Sequence, residues 1–343
     1  MMKEFITDKV NYFYKSFLVW RIRNVSDSQF MIFMSFIVGL TCGLAAVVLK
    51  NTVHYTYMFI TDTKWFAVDN TNFLFLIYPM IGITITVLII KYFIKDNLSH
   101  GVSRVMYAIS RKKGYIKPHN CYSSILTSSI TVAFGGLEAP VVLTGSALGS
   151  NLGRLGRLDT KKTIILVGCG AAGAIAAAFK APIAGILFVF EVLMLDLTMA
   201  SAIPLLISAI TASMIAYFFL GYDLQFDYSL TEGFELVKIP AFMFLGVFSA
   251  FVSFYFLKIN KAISKFFMKL SMWRKIILGG LTLGVLLYFF PPLFGEGYTF
   301  LGDLLNNDTD SVFKNTFLYS YRTNTWMLLA ILFAIIIFKA VAT

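Results

Sequence analysis

Charge is what this 343-residue chain lacks most. Only 14% of its residues are Asp, Glu, Lys or Arg, where a soluble domain carries about 25%. Acids are the scarcer sign, 18 against 29 Lys and Arg. Its 3 cysteines, Cys42, Cys121 and Cys169, show no CxxC spacing, and an odd, scattered set excludes a disulfide framework and a thiolate metal site. Its 3 histidines, His54, His100 and His119, are equally dispersed, with no acidic pair to face them. A membrane-embedded enzyme needs a nucleophile–base or metal cluster, so the expectation is no catalysis, no metal and no cofactor. What is present is apolar: 58% hydrophobic residues, 35 of them Phe, and a mean hydropathy of +0.77. That composition excludes a soluble enzyme, a disordered tail and a nucleic-acid-binding domain. In lipid the structural unit is a helix of about 20 residues, and the chain has room for roughly eight to ten. The fold class is an all-α polytopic membrane protein, with the lipid bilayer as its first partner.

The net charge of +11 resolves into short Lys/Arg clusters between apolar stretches, the pattern of cytoplasmic loops rather than of a nucleic-acid surface. The N-terminus lacks the apolar core and small-residue cleavage site of a signal peptide. Residues 1–26 read as a cytoplasmic amphipathic helix, with Lys9, Lys15, Arg21 and Arg23 facing water. Apolar segments follow at about 29–49, 73–94, 121–134, 163–179, 181–195, 198–220, 239–257, 276–294 and 325–341. Stretches 91–117, 154–162 and 258–275 are basic and placed inside; 223–235 and 303–322 carry the acids and are placed outside. A multi-pass protein of the cell membrane with a cytoplasmic N-terminus is expected.

Two inside loops flank 118–153, so that region enters and leaves on one side. Its turn, FGGLEAP at 134–140, breaks the helix around the single acid Glu138. Non-helical backbone at membrane depth survives only where protein or a water-filled cavity covers it. Two half-helices meeting at such a break typically form a transport site; a full hairpin whose turn reaches the far surface is the alternative. The order of elements also repeats. Two long apolar segments precede HGVSRVMYAI (100–109), and two more precede EGYTFLGDLL (296–305), by loop charge on the opposite side. That is the mark of an inverted-topology repeat with its site near midplane. The expected organisation is 27–220 as the first transmembrane repeat and 221–343 as the second. The second is read as incomplete, because no counterpart of the FGGLEAP break follows 325–341.

FGGLEAPVVLTGSALGSNLGR and GCGAAGAIAAAFKAPIAGILFVFEVLML strongly resemble the CLC family of chloride channels and chloride–proton antiporters. The family's Gly-x-Glu-Gly-Pro turn is matched by Gly136-Leu137-Glu138-Ala139-Pro140, and its Asn-Ala-Pro-Leu-Ala-Gly-Ile-Leu-Phe stretch by Lys180 to Phe188. Its Gly-Ser-Gly-Ile-Pro loop is matched weakly by Ser99-His100-Gly101-Val102-Ser103. The resemblance implies a CLC-like inverted repeat with broken, re-entrant helices. It implies an anion site at Ser99, His100, Gly101, Val102, Ser103, Gly136, Ala139 and Pro140, with Glu138 as gate. Chloride would be the transported ion, and segments 181–195 and 198–220 would form part of a homodimer interface. The physics is compatible: helix-start N–H groups and the helix dipole attract an anion without a full charge, and conduction requires weak binding. Glu138 as a plain helix cap is the alternative role.

The sequence also departs from that pattern. Family antiporters commonly carry two adjacent glutamates where this chain has Glu191-Val192. Valine cannot carry a proton, which tilts the expectation towards a channel or uncoupled exchange. Glu191 is left as a structural carboxylate or part of a proton pathway with Glu138. His100 replaces the family's chloride-ligating serine. Proton-coupled antiport, and a non-conducting fragment that needs a missing C-terminal part, remain alternatives. Gly145, Gly149 and Gly153 form a small-residue stripe, read as helix packing. Gly168, Gly170 and Gly173 mimic a dinucleotide fingerprint, but no βα alternation surrounds them.

Overall fold

The computed structural model describes residues 19, 21, 23–62, 67, 68, 71–96, 101–131, 136–194, 198–221, 233, 235–306, 308–313, 316 and 318–343. The helices are α1 (Asp27–Asp62), α2 (Leu74–Ile89, continued by a π-turn at Ile90–Ile94), α3 (Gly101–Arg111), α4 (Asn120–Ile130), α5 (Glu138–Leu155), α6 (Thr160–Phe179) and α7 (Pro182–Glu191). They continue with α8 (Met199–Leu220), α9 (Ile239–Met268), α10 (Met272–Phe289), α11 (Tyr298–Leu305), α12 (Asp310–Phe313) and α13 (Thr325–Ala342). A minimal antiparallel pair, β1 (Ala67–Val68) with β2 (Thr71–Asn72), accompanies them. Among the described residues 7 helical segments are long and apolar enough to cross a membrane. Within the apolar segments at 121–134 and 181–195 the described residues form the short helices α4 and α7. The element order recurs as the sequence indicates: α1, α2 and then the short α3; α9, α10 and then the short α11. Gly297, at φ 87°, turns the chain into α11.

Contacts divide the chain into two compact units. One comprises Met1–Leu49, Leu98–Ile125 and Glu138–Tyr222; the other comprises Lys50–Asn97, Leu126–Leu137 and Asp223–Thr343.

The first unit is built round α6, whose residues Leu166 to Ala178 are all buried. Where neighbouring lipid is as apolar as leucine, helix association depends on close packing and interhelical hydrogen bonds. Small residues supply both here. A Cβ on Gly145 would collide with the Gly170 carbonyl, one on Gly170 with the Gly145 carbonyl, and one on Gly149 with the Leu166 carbonyl. On the other flank of α6, the Ser208 hydroxyl of α8 donates to the Cys169 carbonyl at 2.7 Å. Ser213 donates to the Ala176 carbonyl at 3.0 Å. The glycines of the pseudo-fingerprint therefore lie inside one continuous helix with no preceding strand, which disposes of the dinucleotide reading. The start of α1 is tied to the start of α6: Asp27 accepts from Lys162 Nζ at 2.6 Å and from Arg21 Nη2 at 2.8 Å. Arg21 is buried, its guanidinium 4.0 Å from the Phe30 ring centroid. That corrects its assignment to a water-facing position: the aromatic face and the carboxylate offset part of its lost hydration, while its Nε is buried without a hydrogen-bond partner. Arg23 is exposed, as expected, while Lys9 and Lys15 lie outside the described residues.

In the second unit α2 and α10 form a close pair, Gly284 against the Leu76 carbonyl and Gly280 against Met80. Phe294 joins it, with ring centroids 5.3 Å from Phe75 and 5.3 Å from Tyr57. Val312, Phe313 and Ile331 form a separate buried cluster. Helix α9 is different in kind, with no buried residue along its length. It also corrects the loop expected at 258–275. The helix continues to Met268, so Lys258, Lys261 and Lys265 are helical, and the connection shrinks to 269–271. Long lysine stems can lie along an apolar helix while their ammonium groups reach water, so charge alone does not end a helix.

Candidate functional site

The break before α5 is made by backbone geometry. Gly136 has φ 87°, a left-handed conformation that costs a glycine least. Leu137 is buried at 2% exposure and anchors the turn. Glu138 is the first residue of α5, half-buried, and Pro140 lies in the first turn, where its missing N–H breaks no intrahelical bond. Helix α4, at 11 residues, is about 16 Å long, roughly half the ~30 Å hydrocarbon thickness. A short helix and, after the turn at Gly136, a second helix fit the re-entrant architecture.

The beginning of α3 sits against this break. A Cβ on Gly101 would come 2.5 Å from the Ala139 carbonyl oxygen and 3.4 Å from Leu143 Cβ. Only a residue without a side chain permits that approach. The first turns of α3 and α5 are thus neighbours, and each presents backbone N–H groups without intrahelical partners. Two N-termini, each carrying about half a positive charge, together make a weak positive potential.

Gly101, Ala139 and, through the turn, Pro140 and Glu138 are therefore brought together. Val102 is half-buried and Ser103 exposed. Ser99 and His100 lie outside the described residues. Glu191 is the exposed last residue of α7, followed by the half-buried Val192. No group of three or more His, Cys, Asp or Glu suited to a metal occurs among the described residues. Two features were not legible in the sequence. The hydroxyls of Thr144 and Ser146 on α5 are buried without a hydrogen-bond partner. Thr144 borders a gap with Cys42, Ala45, Val141 and Ala174 that is too narrow for a water-sized sphere. The second is a basic cleft at the other end of α5, reached by residues about 40 positions apart.

Residues 81–343 match the family described as voltage gated chloride channel. The chain belongs to this family. It is 30% identical over 243 residues to the putative chloride channel protein ClcB-like of Ralstonia nicotianae, covering 67% of this chain and 56% of that protein. It is 27% identical over 298 residues to the H(+)/Cl(−) exchange transporter ClcA of Vibrio cholerae, covering 80% of this chain and 62% of the relative. The chain thus spans about three-fifths of the length of these curated relatives. In fold it is similar to a slow cyanobacterial Cl−/H+ antiporter, at a TM-score of 0.74 and 18% identity, over 90% of this chain and 73% of the other. It is also similar to a CLC-type fluoride/proton antiporter, at 0.63 and 24%, over 90% and 75%. The all-helical CLC fold is shared along nine-tenths of the chain.

Proposed function

We propose that the protein moves chloride or a similar small anion across a cell membrane, past the paired starts of α3 and α5, with Glu138 as gate. The observation that carries this reading is the approach of Gly101 to Ala139, which sets the starts of α3 and α5 side by side next to Glu138. An ionised Glu138 competes with the anion for those N–H groups, and its protonation frees them. An acid at that depth is costly enough to need a role. The remaining members of the proposed site are Gly136, Val102 and Ser103, with Ser99 and His100, which precede α3 in the sequence.

A proton-coupled antiporter is the second reading, favoured by the exchange activity named for the Vibrio cholerae relative. Val192, which stands where family antiporters place a second glutamate, favours passive or uncoupled movement; Glu191 would be the remaining internal carboxylate. The proposed organisation is 1–26 as a cytoplasmic helix and 27–220 and 221–343 as the two repeats. Homodimerisation would use segments 181–195 and 198–220, whose Ile183, Leu187, Met199, Ile203 and Ile210 are exposed apolar side chains. No catalytic chemistry or cofactor is proposed.

The test is chloride efflux from proteoliposomes with external pH recorded, on wild type and Glu138→Ala. Chloride flux without proton uptake in the wild type, and altered flux in the variant, is expected. Stoichiometric proton uptake selects the antiporter. Absence of chloride flux from the complete protein rejects both.

A further inference from the structure

The first unit holds a second electropositive feature, at the far end of α5 from Glu138. A cavity of about 360 Å³ is lined by Lys112, Lys113, Tyr115, Arg154, Thr160 and Thr163, with Leu158 beside them. That volume lies in the ~300–1,000 Å³ range of small-molecule clefts.

Its walls are fixed. After α3 the chain reverses through Lys113 at φ 53° and Gly114 at φ 75°. The reversed segment is then pinned to α5. The buried Ser150 hydroxyl donates to the Gly114 carbonyl at 2.6 Å and accepts from the Ile116 N–H at 3.0 Å. Asn151 donates to the Ile116 carbonyl at 3.3 Å. The Arg154 guanidinium stacks over Tyr115, 4.4 Å from the ring centroid, which holds its plane and leaves its in-plane N–H donors unspent. Among the described residues none of Lys112, Lys113 and Arg154 has a carboxylate in ion-pair range. The nearby Asp159 is committed elsewhere: it caps α6 at the Lys162 N–H, 2.8 Å away, and faces Lys162 Nζ at 3.8 Å. Cations at helix C-termini complement the helix dipole one by one. That does not account for three of them lining one cavity that also holds threonine side chains; the Lys112 ammonium, 5.4 Å from the Tyr107 ring centroid, lies at its edge.

The geometry points to a binding site for a phosphate group, carried by an anionic lipid headgroup or by a soluble phosphate compound. Arg supplies forked donors for phosphate oxygens, the lysines supply point charges, and basic pockets between membrane helices suit phospholipid headgroups. The site is independent of the anion path, since it lies at the opposite end of an 18-residue helix, about 27 Å away.

The test titrates the purified protein in detergent with dioleoyl phosphatidic acid, with dioleoyl phosphatidylcholine, and separately with inorganic phosphate. Bound ligand is read by native mass spectrometry. Wild type is expected to bind phosphatidic acid in preference to phosphatidylcholine. The double variant Lys112→Gln/Lys113→Gln should weaken that binding about 25-fold and Arg154→Gln about fivefold. Lys258→Gln/Lys261→Gln on α9 should leave it within about twofold. All of these positions are exposed, so folding should persist and is checked by size exclusion. Loss confined to phosphatidic acid identifies a lipid headgroup, and parallel loss of inorganic phosphate identifies a soluble ligand; both support the site. The proposal is overturned by no binding of either probe to wild type. Equal binding by wild type and both pocket variants, or equal weakening by the α9 control, overturns it too.

Discussion

Helices α6 and α9 are both long and apolar, yet the most hydrophobic stretch of α6 is 78% buried inside the protein and that of α9 is 0% buried. Side-chain size explains the contrast. Helix α6 reads GCGAAGAIAAA through its centre and lets α5 and α8 approach to backbone contact. Helix α9 carries Phe242, Phe244, Phe248, Phe251 and Phe254, most of them well exposed, and makes no glycine-to-backbone contact at Gly246. Equal hydropathy thus serves two ends: one helix is solvated by protein and the other by whatever surrounds the unit. The α2–α10 pair, with Gly280 and Gly284, shows that the second unit uses close packing too.

The sharpest test of this contrast exchanges glycines. Gly149→Leu is expected to cost about 3 kcal/mol or more and to abolish monodisperse protein, because the new side chain meets the backbone of α6. A Cβ on Gly246 of α9 meets nothing within 4 Å, and Gly246→Leu should change stability by no more than about 0.5 kcal/mol. Comparable losses at the two sites, by thermal unfolding in detergent, would break the comparison. A smaller effect is expected from Ser208→Ala, which removes the bond to the Cys169 carbonyl and should cost about 0.6–1.7 kcal/mol in the same assay. Smaller still is Tyr255→Phe on α9. Its hydroxyl donates to the Ile337 carbonyl at 3.2 Å in a half-buried setting, and about 0.5 kcal/mol is expected. A loss from Tyr255→Phe that matched Ser208→Ala would show that α9 is held more firmly than its exposure implies.

The helices were largely readable because apolar runs of about 20 residues have few other uses. Their ends were not. Helix α1 continues through Asn51, Thr52 and His54 to Asp62, and α9 through Lys258 and Lys261 to Met268, because polar residues leave a helix intact while ending a hydropathy peak. The turn at Gly136, the half-helices around it and the packing role of Gly145 and Gly149 were legible, since glycine and proline carry backbone meaning wherever they stand. The cleft at Lys112, Lys113 and Arg154 was not. Each of those residues looked like an ordinary loop cation, and only the fold of α3 onto α5 makes them one surface.

The contact between Gly145 and Gly170 has a consequence for heredity. Each glycine is required because the other helix presents a carbonyl, and a carbonyl belongs to every amino acid. No exchange of the opposing residue can therefore make room for a side chain at either position. If Gly145→Val is introduced and function is selected back, the survivors should be true revertants at codon 145 rather than second-site suppressors at codon 170. The two positions would stay fixed without covarying, a constraint that comparing pairs of sites in many sequences would not detect.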